Sequence, residues 1–279
     1  QKKFEKVWIR TNNFGMRDSE PMSVERPSVF RIVVLGDSFT FGFRVAGDET
    51  YPSVLKQRLN QGGRENRFDV LNMGVSGYST RDEALVLEHK ALSWQPDLIV
   101  VGYVLNDPET APVQPLTSYF QDPAVWQRFH LARLVARVKH GLDIEKRGGG
   151  DYYRYLHAEG YSQWNGVVSA LEDIRQLTED QQIPVLMVIF PERPEGRWGS
   201  YLYADLHQQV ADVAQEKSFA VIDMLDRFRR YPPRKMRVRL GDSHPSAGGH
   251  ALAAEAIYEW IVNELPSSPL RPTRTVPAT

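Results

Sequence analysis

One serine stands where an α/β protein can use it. The stretch Phe30-Arg31-Ile32-Val33-Val34-Leu35-Gly36 reads as a short buried strand, and it runs directly into Asp37-Ser38-Phe39-Thr40-Phe41-Gly42. Ligand sites of open α/β sheets lie beyond the carboxyl ends of the strands, so a serine at such an end is a candidate nucleophile. A serine hydroxyl is a weak nucleophile at neutral pH and needs a base, together with donors for a developing oxyanion. Near the C-terminus Gly241-Asp242-Ser243-His244-Pro245 places an imidazole beside a carboxylate. Two further apolar segments end in polar turns. Phe68 to Leu71 leads into Asn72-Met73-Gly74-Val75-Ser76-Gly77-Tyr78-Ser79-Thr80, with two glycines that let backbone amides approach a ligand closely. Asp97-Leu98-Ile99-Val100-Val101-Gly102-Tyr103-Val104-Leu105 is almost continuously apolar, as a strand buried on both faces must be, and ends in Asn106-Asp107-Pro108.

Each residue also has a plainer use. Ser38 can cap a short helix, Asn106 can form a turn before Pro108, and Gly74 competes with Gly77 wherever a positive φ is needed. His250 rivals His244, although Ser246 reads as an N-cap and so puts His250 in the first turn of a closing helix from Ala247 to Leu265. Asp37 and Asp107 read as structural turn residues. The other histidines, at 89, 130, 140, 157 and 207, lack metal-ligand spacing and read as surface or packing residues.

Taken in order, the four blocks around Ser38, Gly77, Asn106 and Asp242/His244 resemble those of the SGNH (GDSL-type) hydrolase superfamily of esterases, lipases and acyltransferases, from Arg31 to about Leu265. The resemblance implies Ser38 as nucleophile and His244 as base. It also implies an oxyanion hole of the Ser38 amide, Gly77 and Asn106. The commonest family pattern has the acid three residues before the histidine. Here that position is Gly241, with Asp242 only two before, so either Asp242 orients the imidazole through a different loop or His244 works in a Ser-His dyad. The implied fold is a three-layer α/β/α, flavodoxin-like domain with a parallel five-stranded sheet in the order 2-1-3-4-5. The implied chemistry is transfer of an acyl group to Ser38 and then to water or another hydroxyl. A short, O-acetyl-type ester of a carbohydrate is the expected substrate, and no cofactor or metal is required. An O-acyltransferase to a polysaccharide and a non-catalytic glycan-binding protein are the alternatives. A nucleotide- or flavin-binding sheet is a third, but Gly-Asp-Ser-Phe-Thr-Phe-Gly lacks the spacing of either phosphate-binding fingerprint.

The elements that must position these residues are legible in outline. Helices are expected over Thr50 to Leu59 and over Thr80 to Ser93, the latter with apolar positions Ala84, Leu85, Leu87, Ala91 and Leu92. Further helices are expected over Val125 to His140, Val167 to Glu179 and Tyr201 to Lys217, with strands over Ile183 to Phe190 and Phe219 to Asp223. Residues 1–29 form an N-terminal extension like that of SGNH-like proteins of bacterial polysaccharide modification. Residues 30–265 form the catalytic domain, with an insertion at about 108–164 expected to wall the site. The aromatics in it, Tyr152, Tyr153, Tyr155, Tyr161 and Trp164, either stack on sugar or pack the insertion. The Pro-, Ser- and Thr-containing tail 266–279 is expected to be disordered.

Composition narrows the partners. The 279 residues carry 34 Lys and Arg against 35 Asp and Glu, so no global basic field invites nucleic acid. The local run from Arg227 to Arg239 reads as a solvated face, with attraction of an anionic substrate or a membrane surface as the alternative. There is no cysteine, which excludes disulfide and thiolate chemistry. No run of eighteen apolar residues is present to cross a membrane. Because the chain opens on Gln1, a removed signal or anchor and a periplasmic or other extracytoplasmic location are expected, with a cytoplasmic one as the alternative. Oligomeric state is not legible.

Overall fold

The computed structural model describes residues 2–4, 7–22, 28–62, 67–109, 130–192, 198–239, 241–266 and 269–270. A hairpin of β1 (Lys2–Phe4) and β2 (Val7–Ile9) precedes the sheet. Then follow β3 (Phe30–Gly36), the short α1 (Ser38–Phe41), α2 (Tyr51–Leu59), β4 (Phe68–Asn72), α3 (Thr80–Val86) and β5 (Leu98–Tyr103). The second half holds α4 (His130–Gly148), α5 (Tyr152–Leu156), α6 (Ser162–Glu179), β6 (Val185–Ile189), α7 (Ala204–Glu216) and β7 (Ala220–Asp223). Two one-turn helices, α8 (Leu225–Phe228) and α9 (Pro233–Met236), lead to α10 (Ala247–Asn263).

The five strands from β3 onward pair in parallel in the order β4-β3-β5-β6-β7, the expected 2-1-3-4-5 sequence. Alternation along each strand divides the core in two. Ile32, Val34, Val70, Leu98, Val100, Leu186 and Val188 pack with α2 and α10, while Val33, Leu35, Leu71, Ile99, Val101, Met187 and Ile189 pack with α3, α6 and α7. This both-faces burial is why the strands read as continuous apolar runs.

Several boundaries differ from expectation. Helix α4 runs past the expected end at His140 to Gly148, while residues 110–129, which hold the start of the expected Val125 helix and much of the insertion, lie outside the described residues. The tail beyond 270 lies outside them too. After Val86 the helical path widens into a π turn over Leu87–Ala91 and a tighter one over Leu92–Trp94. Ala84, Leu87 and Ala91 face the core, but Leu85 is exposed, because a step of one or two residues from 84 and 87 turns it off their stripe.

The sheet's carboxyl end closes around Thr40. A Cβ placed at Gly36, Gly74 or Gly102 would lie 2.0, 2.7 and 2.6 Å, respectively, from atoms of the Thr40 side chain. Helix α1 thus sits directly on the ends of β3 and β5 and on the loop after β4, where only glycine leaves room. Thr40 Oγ1 is 2.7 Å from the Tyr51 hydroxyl, and the Asn72 carboxamide donates to the Thr40 carbonyl at 3.0 Å. The N-terminal extension braces the other end of α1. Buried Arg17 donates to the carbonyls of Phe41, Gly42 and Val45, satisfying acceptors that a four-residue helix cannot satisfy itself.

Gly102→Ala is expected to lower the free energy of unfolding by about 1–3 kcal/mol, because its methyl group collides with both Thr40 and Tyr51. Gly199→Ala, where nothing lies within 4 Å, should stay within about 0.5 kcal/mol of wild type. Urea unfolding of both variants checks this, and equal midpoints would show that the close approach carries no strain.

Candidate active site

Ser38 opens α1. Asp37 caps that helix by accepting from the Phe39 amide at 2.8 Å, and Gly42, at φ 80°, ends it. Asp37 is therefore the structural turn residue expected, but its second oxygen is also 3.1 Å from Ser38 Oγ. Burial pushes the Asp37 carboxyl up, against the Phe39 amide, the His244 charge and the Ser38 contacts, which pull it down.

His244 reaches Ser38 from the far end of the chain. Residues 236–239 and 241–246 fold back on one another through an Arg237–Pro245 bridge, with Val238 N donating to His244 O at 3.0 Å and Ser246 N to Met236 O at 3.0 Å. Gly241 takes φ 77° inside this loop, which explains glycine at the position where the family more often has its acid. Asp242 Oδ1 accepts from the His244 amide at 3.1 Å and from Nδ1 at 2.6 Å. With Nδ1 donating, Nε2 faces Ser38 Oγ at 2.8 Å as an acceptor. The shorter spacing therefore yields a Ser-His-Asp chain through a local hook, and the dyad alternative is not what the geometry forms. Burial opposes ionisation of Asp242, but the His244 hydrogen bonds and the charges of His244 and Arg44 outweigh it and hold the carboxyl below its ordinary value. The imidazole contacts two aromatic rings, Phe39 at 5.1 Å and Phe43 at 4.7 Å between centroids.

The two other expected positions lie on loops beside Ser38. Val75 N donates to Gly36 O, drawing the loop after β4 against β3, and Gly77 takes φ 86° there. The Gly74 amide is already committed to Asn72 Oδ1 at 3.0 Å, whereas the Gly77 amide has no partner among the described residues. Asn106 sits in a turn closed in both directions, Asp107 N to Val104 O at 2.9 Å and Val104 N to Asp107 Oδ2 at 3.2 Å. Its half-buried carboxamide makes no hydrogen bond among the described residues. Asp107 is thus structural, as expected.

Sequence reading missed Glu83, Arg17 and Arg44. Glu83 is buried on α3, with neither carboxylate oxygen hydrogen-bonded, and its carboxyl is pushed well up by burial and then by Asp37 and Asp82. Its spacing of four before Leu87 on the inner face was the available signal. Arg44 lies 3.2 Å from Asp242 Oδ2 and nothing in its local sequence announces that. Of the arginine run, Arg229, Arg230, Arg234 and Arg239 are exposed, as a solvated face should be, and Arg227 pairs with Glu259. The insertion aromatics largely pack: Tyr155 and Trp164 are buried, and the Tyr155 ring contacts those of Tyr152 and Tyr161. Two histidines expected as ordinary are buried hydrogen-bonding residues, His157 to Tyr103 Oη and His207 to Tyr201 Oη and Asp223.

Residues 34–252 match the GDSL-like lipase/acylhydrolase family. The chain belongs to that family. By class the acylhydrolase is a carboxylic ester hydrolase. No curated protein matches its sequence significantly. Among solved structures it resembles an acetyl xylan esterase, AlAXEase, at 17% identity over 82% of this chain and 98% of that one, with a TM-score of 0.53. It also resembles a catalytic mutant of Axe2, an acetylxylan esterase from Geobacillus stearothermophilus, at 17% identity over 83% and 94% of the two chains and a TM-score of 0.51. LAE5, an alpha/beta hydrolase enzyme from the metagenome of Lake Arreo, Spain, is similar at 17% identity over 82% and 94%, with a TM-score of 0.53. At these identities the likeness establishes the fold.

His250, the rival base, is fully buried, and its Nδ1 accepts from the Tyr51 amide at 3.2 Å. Burial, then the Arg17 and His244 charges, bring it down to about 3, while burial brings His157 to about 4. A folded-state value below the unfolded one means that the unfolded chain binds protons the folded one refuses. From about pH 6.5 down to 4, these two imidazoles therefore favour unfolding progressively. The buried carboxyls slope the opposite way, but they are common to wild type and variant. His250→Asn, which keeps an acceptor for Tyr51, is expected to reduce the slope of unfolding free energy against pH in this window by about one bound proton. Parallel wild-type and variant slopes in urea titrations would count against a neutral, buried His250.

Proposed function

We propose that this acylhydrolase cleaves short acyl esters, O-acetyl groups of a carbohydrate above all, through an acyl-enzyme on Ser38. The observation that carries the reading is the chain of contacts Ser38 Oγ, His244 Nε2, His244 Nδ1, Asp242 Oδ1, with hydrogen-bonding distances of 2.8 and 2.6 Å. His244 Nε2 takes the Ser38 proton as Oγ attacks the ester carbonyl. Asp242 holds the imidazole in the required tautomer and stabilises the imidazolium. The carbonyl oxygen, now an anion, is received by the Gly77 amide, the Asn106 carboxamide and the Ser38 amide. Collapse expels the alcohol, which takes the proton from His244. Water then repeats the sequence, and its attack releases the carboxylic acid and restores Ser38. A sugar hydroxyl in place of water would make the same intermediate an O-acyl donor.

Support for the substrate class is of two kinds. The acetyl xylan esterases share the fold, and a two-domain esterase active on acetylated mannans resembles the chain at 16% identity with a TM-score of 0.51. The second is the resemblance read in the sequence of residues 1–29 to polysaccharide-modifying proteins, on which a polymer outside the cytoplasm is proposed as the setting.

Hydrolysis of p-nitrophenyl acetate, butyrate and octanoate tests the reading. Activity should be confined to the short esters and fall to background in Ser38→Ala and His244→Ala. Asn106→Ala should lose roughly 10²- to 10³-fold in kcat. Undiminished turnover in Ser38→Ala would remove the nucleophile assignment, and preference for octanoate would remove the short-acyl one.

A further inference from the structure

The triad acid has a support that belongs to neither its own loop nor the family's blocks. Asp242 Oδ1 is fully engaged by His244, through both the amide and Nδ1, so the rotation of the carboxylate is decided at Oδ2. Two arginines pair with that oxygen by charge, Arg44 Nε at 3.2 Å and Arg239 Nε at 3.6 Å, and the Arg44 contact lacks the geometry of a hydrogen bond through Nε. They are not equivalent. The Arg239 side chain is 61% exposed, where a surface pair contributes little, while that of Arg44 is 15% exposed against 11% for Asp242.

Arg44 also occupies a backbone position that disfavours it. Val45 N closes a turn onto Gly42 O at 3.3 Å, and within that turn Arg44 takes φ 69°. This is the left-handed region, where glycine is at home and a side chain is disfavoured. The strained turn aims Arg44 at Asp242. The Arg44 guanidinium carbon lies 5.2 Å from the centre of the Phe43 ring, and that ring lies against His244. One turn, six residues beyond Ser38, thereby touches both the acid and the base. Local strain kept at such a place is a sign of use rather than of packing.

Resting on the serine reading above, we infer that Arg44 is a positioning residue for catalysis. It clamps Asp242 Oδ2 so that an acid only two residues from its histidine holds the imidazole square to Ser38. It takes over the fixing that the longer acid-to-histidine spacing would supply. The charged and titratable groups facing His244 are Asp242, Arg44 and Arg239, Asp37 from the turn after β3, and His250 from α10. Removing the Arg44 cation leaves the carboxylate less neutralised, which favours the imidazolium. The acid limb of kcat/KM must then move to higher pH.

Arg44→Gly separates this role from a structural one, since glycine relieves the backbone while deleting the clamp. The expected result with p-nitrophenyl acetate is a kcat lowered roughly 10- to 100-fold with KM little changed. The acid limb should move up by about half a pH unit, with a melting temperature equal to or above wild type. Arg44→Lys, which retains the charge, should return the limb toward wild type. The rate of Ser38 labelling by a fluorophosphonate should fall in parallel in Arg44→Gly. Wild-type kcat and pH profile in Arg44→Gly, or a loss of rate accompanied by a lower melting temperature and an unmoved limb, would overturn the inference. Ser38→Ala assayed beside it distinguishes the two failures: if Ser38→Ala is inactive, such a result removes Arg44 alone. An active Ser38→Ala, or a wild type that neither turns over nor labels, removes the serine reading and Arg44 with it.

Discussion

The close approach of Thr40 to three glycines is the constraint on which the rest of the site depends. A serine on a flexible loop would be held by a few hydrogen bonds, but Ser38 begins a helix pressed onto the strand ends at Gly36 and Gly102 and onto the Gly74 turn. Close-packed interiors transmit displacement rather than absorb it. The position of Ser38 is therefore tied to three adjacent strands at once. The same contact sets where the Gly77 and Asn106 loops leave the sheet, because those loops continue from β4 and β5 within a few residues of the glycines that meet Thr40.

The second organising force is electrostatic. Asp37, Glu83 and Asp107 are each 1% exposed, and burial, together with the charges of neighbouring carboxylates for the latter two, pushes all three carboxyls toward the neutral acid. Charged, they would concentrate negative charge around Asp37, the immediate neighbour of Ser38. Kept toward neutrality, they leave the cap and turn in place without that repulsion. Asp242 is treated in the opposite way: exposed slightly more and surrounded by donors and cations, it is held ionised. Carboxyls in one neighbourhood thus divide by environment into buried acids held toward neutrality and one held as an anion.

Buried histidines extend this polar framework outward. Tyr103, at the end of β5, meets His157, which also bonds the Tyr153 carbonyl, and so fastens the α5 segment to the strand end. His207 links α7 to Asp223 at the end of β7. These pairs satisfy groups that the close packing of aromatic rings would otherwise leave without partners.

The sequence by itself determined the strands, their three-layer class and four of the site blocks, because strands buried on both faces must be apolar along their length and must end in polar turns where a ligand site is possible. It also singled out Ser38 and His244, since few residue types can supply a nucleophile and a base. Distances in sequence could not decide between a dyad and a triad. That required the φ of Gly241 and the double acceptance by Asp242 Oδ1, which are properties of a folded loop. Nor could they choose between Gly74 and Gly77, which differ in whether Asn72 has already claimed the amide. Arg17 and Arg44 were illegible for one reason: each acts on a partner tens to hundreds of positions away. Such contacts are made by tertiary packing, and a local pattern carries no trace of them.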